Sequence, residues 1–136
     1  GMLADVKAVY TNANTYGKDA NRFKDGVSKA MSVQPAAVKE VAHPVIRTHP
    51  ETGRKGLYLS PIHFSRFEGM TPEESKPLFD TLVAHATGPE VTCRFRWKNG
   101  SVAMWDNRCT MHYAINDFSG VGRTMQRVTL EGDRPV

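Results

Sequence analysis

The richest concentration of chemically capable side chains in this 136-residue chain is Trp105-Asp106-Asn107-Arg108-Cys109-Thr110-Met111-His112, followed by Arg123 and Arg127. Side chains alternate faces on a strand, so Arg123, Met125 and Arg127 share one face, with the two arginines ~13 Å apart along the backbone at ~3.3 Å per residue. Two arginines on one face of a central strand are costly unless anions or carboxylates neutralise them. If that face points into a barrel, it suits a carboxylate, phosphate or sulfonate. If it points to water, it carries no function. His112 stands without a second metal-type ligand beside it. His43, His49, His63 and His85 read as structural or solvated side chains. Cys93 and Cys109 are too few for a disulfide scaffold and show no zinc-type spacing.

Elements must be found to carry these residues. Leu3, Val6 and Tyr10, then Phe23, Val27 and Met31, fall near helical spacing. Two short helices separated by a loop over 11–17 are expected there. Val41, Val45 and Ile46, then a turn containing Pro50 and Gly53, then Leu57-Tyr58-Leu59, form a β-hairpin pattern. Thr71-Pro72-Glu73-Glu74 is a helix start with a capping box. Leu78, Phe79, Leu82, Val83 and Ala86 give that helix one apolar face, and Gly88-Pro89 ends it. Strands are expected at Val91–Trp97, at Val102–Trp105, at Thr110–Tyr113 and over 123–130, with Asn99-Gly100 as a hairpin turn. The expected class is mainly β with helices (α+β), as a β-sandwich or jelly roll carrying one helix.

Composition narrows the partners. The chain has 18 basic and 14 acidic residues, a net charge of +4, scattered rather than gathered into the stripe a nucleic-acid binder shows. No apolar run approaches the ~20 residues of a membrane span, and no stretch has the order of a signal peptide. Nucleic acid and membrane are therefore not expected as partners, and the two cysteines fit a cytoplasmic setting. Gly1-Met2 reads as a protease remnant before an initiator, so the native frame is expected to open at Met2.

Three segments, in this order, carry a resemblance. They are His43-Pro44-Val45-Ile46-Arg47-Thr48-His49-Pro50-Glu51-Thr52-Gly53-Arg54-Lys55, then Trp105 to His112 as quoted, then Arg123-Thr124-Met125-Gln126-Arg127-Val128-Thr129-Leu130-Glu131-Gly132-Asp133. Over about residues 40–135 the chain resembles the taurine dioxygenase family of iron(II)- and 2-oxoglutarate-dependent oxygenases, which includes the phenoxyacetate dioxygenases. The resemblance implies a double-stranded β-helix and hydroxylation of a small acidic substrate, of sulfonate or aryloxy/alkyl acid type. It implies iron held by two histidines and a carboxylate, with His112 as one ligand. It implies Arg123 on the distal carboxylate of 2-oxoglutarate and Arg127 on the acidic group of the substrate.

The family's other two iron ligands come from a His-x-Asp or His-x-Glu motif upstream of the hairpin. No such motif is present; His49-Pro50-Glu51 is the only His-x-Glu and lies in the turn, where proline suits it better than a central strand would. The resemblance therefore implies that this chain corresponds to the C-terminal half. Residues 1–40 are expected as a helical and loop segment, and 41–136 as the C-terminal portion of the β-helix domain. Alone the chain is expected to be inactive, with no catalytic residue assigned. It is expected to meet a small acidic molecule and either a second copy of itself or a separate N-terminal half. The other readings are a non-catalytic anion-binding remnant and an oligomeric interaction protein.

Overall fold

The computed structural model describes residues 1–13, 39–115, 122 and 124–132. Among these residues five strands are formed, β1 (Lys7–Thr11), β2 (Glu40–Pro44), β3 (Ile46–Thr48), β4 (Lys55–Leu57) and β5 (Phe64–Phe67), followed by helix α1 (Pro72–Ala86) and a 3-10 turn at Pro89–Val91. One sheet has the order β2-β1-β5, and β3 pairs with β4 in a second. All described pairings are antiparallel. The described architecture is thus mixed strand and helix.

The helical expectation for Leu3, Val6 and Tyr10 is corrected: Lys7–Thr11 is the central strand of the larger sheet. Ala8, Val9, Tyr10 and Thr11 are all buried, so both faces of β1 are covered. A strand buried on both faces loses the alternation that marks a strand in sequence, and its residues then match a helical spacing by accident. β1 runs beside β2 from Lys7↔Pro44 to Thr11↔Glu40. The boundary expected near residue 40 is therefore bridged by a sheet. The second expected helix, around Phe23, Val27 and Met31, lies outside the described residues.

The hairpin is as expected, with Ile46↔Leu57, Arg47↔Gly56 and Thr48↔Lys55 in register. Its turn closes through His49 N to Arg54 O (2.8 Å) and Gly53 N to His49 O (2.8 Å). Gly53 has φ +67°, a left-handed conformation that glycine adopts without a Cβ penalty. Helix α1 is also as expected. Thr71 Oγ1 accepts from Glu74 N (3.2 Å), while Glu74 Oε2 accepts from Thr71 N (2.8 Å), completing the capping box. Pro77 forfeits one helical bond to the Glu73 carbonyl, in an exposed turn where water can donate instead.

The core joins both sheets to α1 through Ala8, Tyr10, Val45, Leu59, Phe67 and Phe79. Phe64 stacks on Phe79 at 3.6 Å, and Phe67 meets Phe64 edge-on at 5.1 Å. Ser75 is wholly buried; its Oγ accepts from Phe67 N (2.9 Å) and donates to Thr71 O (2.7 Å). It thus ties α1 to β5. Ser75→Ala leaves the Phe67 N–H buried without an acceptor and is expected to cost about 1–3 kcal/mol, read by urea unfolding. A loss under ~0.3 kcal/mol would show that the bond carries no net stability.

The strands expected after residue 91 do not form ladders among the described residues. Their turns do form. Gly100 has φ +79°, and Ser101 N donates to Lys98 O at 3.0 Å. Side-chain alternation survives too: Phe95 and Trp97 meet edge-on at 4.9 Å. Among the described residues no ladder runs beside them, and a strand is stabilised by its pairing rather than by its own alternation. No described helix is long and apolar enough to cross a membrane.

Candidate active site

Asp106 organises the segment from Trp105 to His112. Its carbonyl accepts from Cys109 N (3.3 Å), Thr110 N (3.1 Å) and Thr110 Oγ1 (2.6 Å), which closes a turn over 106–110. The turn returns the chain so that His112 lies against Trp105, ring centroids 5.1 Å apart and tilted by 49°. Trp105 Nε1 donates to Asn107 Oδ1 at 2.9 Å.

The Asp106 carboxylate faces the other way, into a set of donors. Arg108 N donates to Oδ1 (2.8 Å), Arg108 Nε reaches both oxygens (3.0 Å each), and Arg108 Nη2 reaches Oδ2 (2.7 Å). His49 Nε2 lies 3.2 Å from Oδ2, and Arg108 Nη2 continues to Glu51 Oε1 at 2.9 Å. The tip of the β3–β4 hairpin is therefore pinned to a segment 57 residues further along the chain. The Arg108 side chain and amide hold the Asp106 carboxyl well below the usual carboxylate range. Asp106 and Glu51 in turn hold the Arg108 guanidinium more firmly protonated than usual.

His49, Asp106 and Cys109 form the one group of three metal-capable side chains among the described residues, with ligand atoms within 4.8 Å of one another. Its donor chemistry does not suit a metal. His49 Nδ1 accepts from the Glu51 and Thr52 amides, at 3.3 Å each, which leaves the proton on Nε2, directed at Asp106. Neither ring lone pair is then available, and a cation at Asp106 would displace or face the Arg108 guanidinium. His49 is a structural partner of Asp106, in agreement with the sequence.

Of the residues singled out in the sequence, His112 is exposed and stands beside Trp105. Arg127 is also exposed. Arg123 lies outside the described residues. The metal-capable group found among the described residues does not include His112, so they do not assemble the expected iron triad around it. The pairing of His49 and Glu51 with Asp106 and Arg108 was missed in the sequence. Its only trace there is complementary charge in two motifs, each spaced at i, i+2.

Comparison with known proteins places this chain in a family. The family model for the taurine catabolism dioxygenase TauD, TfdA family matches residues 3–129. The chain belongs to that family. It is 45% identical to the alpha-ketoglutarate-dependent sulfate ester dioxygenase of Pseudomonas putida, covering 98% of this chain and 45% of that protein. It is 38% identical to the alkylsulfatase of Acinetobacter baylyi, covering 93% of this chain and 40% of that protein. It is 37% identical to the alpha-ketoglutarate-dependent 2,4-dichlorophenoxyacetate dioxygenase of a Burkholderia strain, covering 84% and 38%. Among solved structures, AAD-2 in complex with Mn(II) and N-oxalylglycine is similar with a TM-score of 0.53 and 29% identity, covering 71% of this chain and 36% of that one. The chain therefore spans less than half the length of these relatives. The match begins at residue 3, so the resemblance extends through β1, upstream of the hairpin where the sequence motifs begin.

Proposed function

We propose that this chain supplies the C-terminal share of an iron(II)- and 2-oxoglutarate-dependent dioxygenase acting on a small sulfate ester, sulfonate or aryloxyalkanoate acid. His112 is its iron ligand, Arg123 holds the distal carboxylate of 2-oxoglutarate, and Arg127 holds the acidic group of the substrate. The observation that carries this reading is the ordered set Trp105-Asp106-Asn107-Arg108, His112, Arg123 and Arg127, within a chain that the family model matches nearly throughout. The relatives' names, a putative alpha-ketoglutarate-dependent sulfonate dioxygenase of Schizosaccharomyces pombe among them, supply the substrate classes. Two further iron ligands, and the rest of a jelly roll, come from outside the described residues.

The two arginines separate in a binding experiment. Equilibrium dialysis of labelled 2-oxoglutarate with iron(II), without oxygen, is expected to lose retention at least ten-fold in Arg123→Ala and to keep it in Arg127→Ala. Retention of a labelled alkyl sulfate, measured in the same way, is expected to show the reverse dependence. Equal retention in the wild type and Arg123→Ala contradicts the assignment. The 136-residue chain is also expected to release no succinate with iron and 2-oxoglutarate. Release abolished by His112→Ala contradicts the claim that its iron site is incomplete.

Assembly belongs to the same proposal. Val102, Met104, Tyr113, Val128 and Leu130 are each at least 87% exposed, in segments without a ladder among the described residues. Unpaired edges and apolar surface of this kind invite association. The chain by itself is proposed to cover them by pairing with a second copy, two-fold symmetric so that one patch hides its equal. Light scattering is expected to report a multiple of 15.1 kDa. A monodisperse particle of one chain mass contradicts it.

A further inference from the structure

The segment bearing His112 has no strand partner among the described residues, yet it is not untethered. Among the described residues, hydrogen bonds join 105–112 to the earlier elements through two groups: the Asp106 carboxylate to His49, and the Arg108 guanidinium to Glu51. His49 is itself fixed. Its side chain is 14% exposed, its Nδ1 takes two backbone N–H groups of the turn, and its own backbone closes that turn at both ends. A rigid hairpin tip thus presents one N–H, from His49 Nε2, at a fixed place. Asp106 meets it there through its carboxylate, while its carbonyl closes the 106–110 turn. One residue therefore couples the direction of the hairpin to the reversal that sets His112 against Trp105.

We propose that His49 and Arg108, acting through Asp106, are positioning residues for His112: the hairpin tip sets the orientation of the imidazole against Trp105. This rests on the reading of His112 as an iron ligand for its functional meaning, but not for its geometry. A ligand imidazole must be pre-aimed by its surroundings, because an imidazole free to rotate pays that ordering when the metal binds. In this chain the orienting contacts come from the Trp105 ring and from the Asp106 turn, rather than from a ladder of strands.

The test reads His112 directly and needs no metal. In proton–carbon NMR spectra of the full chain, the His112 ring signals are assigned by their loss in His112→Gln. Trp105 at 5.1 Å shifts them by its ring current. His49→Ala and Arg108→Ala are expected to return these signals to the position of an unstructured histidine, while the signals of Phe67 and Phe79 stay in place. His49→Gln, whose amide restores an N–H toward Asp106, is expected to recover most of the shift. If Arg108→Ala loses the core signals as well, the His49→Ala and His49→Gln pair decides. His112 signals unchanged in His49→Ala, with the core intact, overturn the proposal. So does a loss in His49→Ala that His49→Gln fails to restore. Because the readout is metal-free, metal broadening that falls on another histidine and spares His112 overturns the ligand reading and leaves the positioning standing.

Discussion

Replacing Phe67 with alanine is expected to remove about 3–5 kcal/mol of unfolding free energy, the range found when a buried phenylalanine is truncated. Phe67 is fully buried and is where the two layers meet: its backbone N–H is held by Ser75 in α1, and its ring contacts Phe64 and Phe79. The vacated volume lies between a sheet and a helix already fixed by the Ser75 bond, so collapse into it is limited. A loss of this size approaches the whole stability of a small domain, ~5–15 kcal/mol. Urea unfolding followed by far-UV circular dichroism checks it. A cost below ~1.5 kcal/mol would show that α1 and β5 repack freely, and that the aromatic cluster does not define the core.

The second large effect is alkaline. Tyr10 lies in the central strand, 6% exposed, with its hydroxyl donating to Tyr58 O at 2.7 Å. Burial, with a smaller contribution from Tyr58, pushes its phenol far above the usual 10.0. The unfolded chain therefore gives up this proton at lower pH than the folded one. Above pH 10 the unfolded state binds fewer protons, so stability falls as pH rises, by at most about 1.4 kcal/mol per pH unit. Below pH 10 the contribution is fully present. Tyr10→Phe is expected to cost about 1 kcal/mol near neutrality through its lost hydrogen bond and to flatten the alkaline decline. Unfolding free energies measured from pH 8 to 11 check both. Parallel declines in the two proteins would show that Tyr10 ionises as readily folded as unfolded.

Which elements the sequence revealed follows from where their stabilising partners lie. Helix α1 is specified locally: Thr71 and Glu74 cap each other, and its apolar face repeats at helical spacing. The β3–β4 hairpin is specified by its own turn, with Gly53 in the left-handed region. Strand β1 is specified by neighbours on both sides that come later in the chain, and burial on both faces erased its period. The segments after residue 91 show the opposite case. Their alternation and turns were legible, and the turns form, but a ladder needs a partner strand that alternation cannot provide.

The candidate site divides in the same way. Asp106, Arg108 and His112 stand in one motif and were legible together as chemistry. Their anchoring to His49 and Glu51 was not, because a contact across 57 residues leaves no mark in local spacing. The family resemblance supplied roles for His112, Arg123 and Arg127 that side-chain type alone left open between an anion site and a solvated face. The relatives' greater length, with this chain spanning 40% and 45% of two of them, fits the absence of a His-x-Asp motif from a segment that nonetheless carries the family's later motifs.

The most direct test of the central claim is a manganese(II) titration of the full chain, followed through the ring signals of its five histidines. Manganese(II) stands in for iron(II) without redox chemistry and broadens the signals of any histidine that binds it. The account predicts that His112 broadens first, that 2-oxoglutarate deepens the effect, and that Arg123→Ala abolishes that deepening. Broadening that begins at His49, or spreads equally over all five histidines, contradicts it.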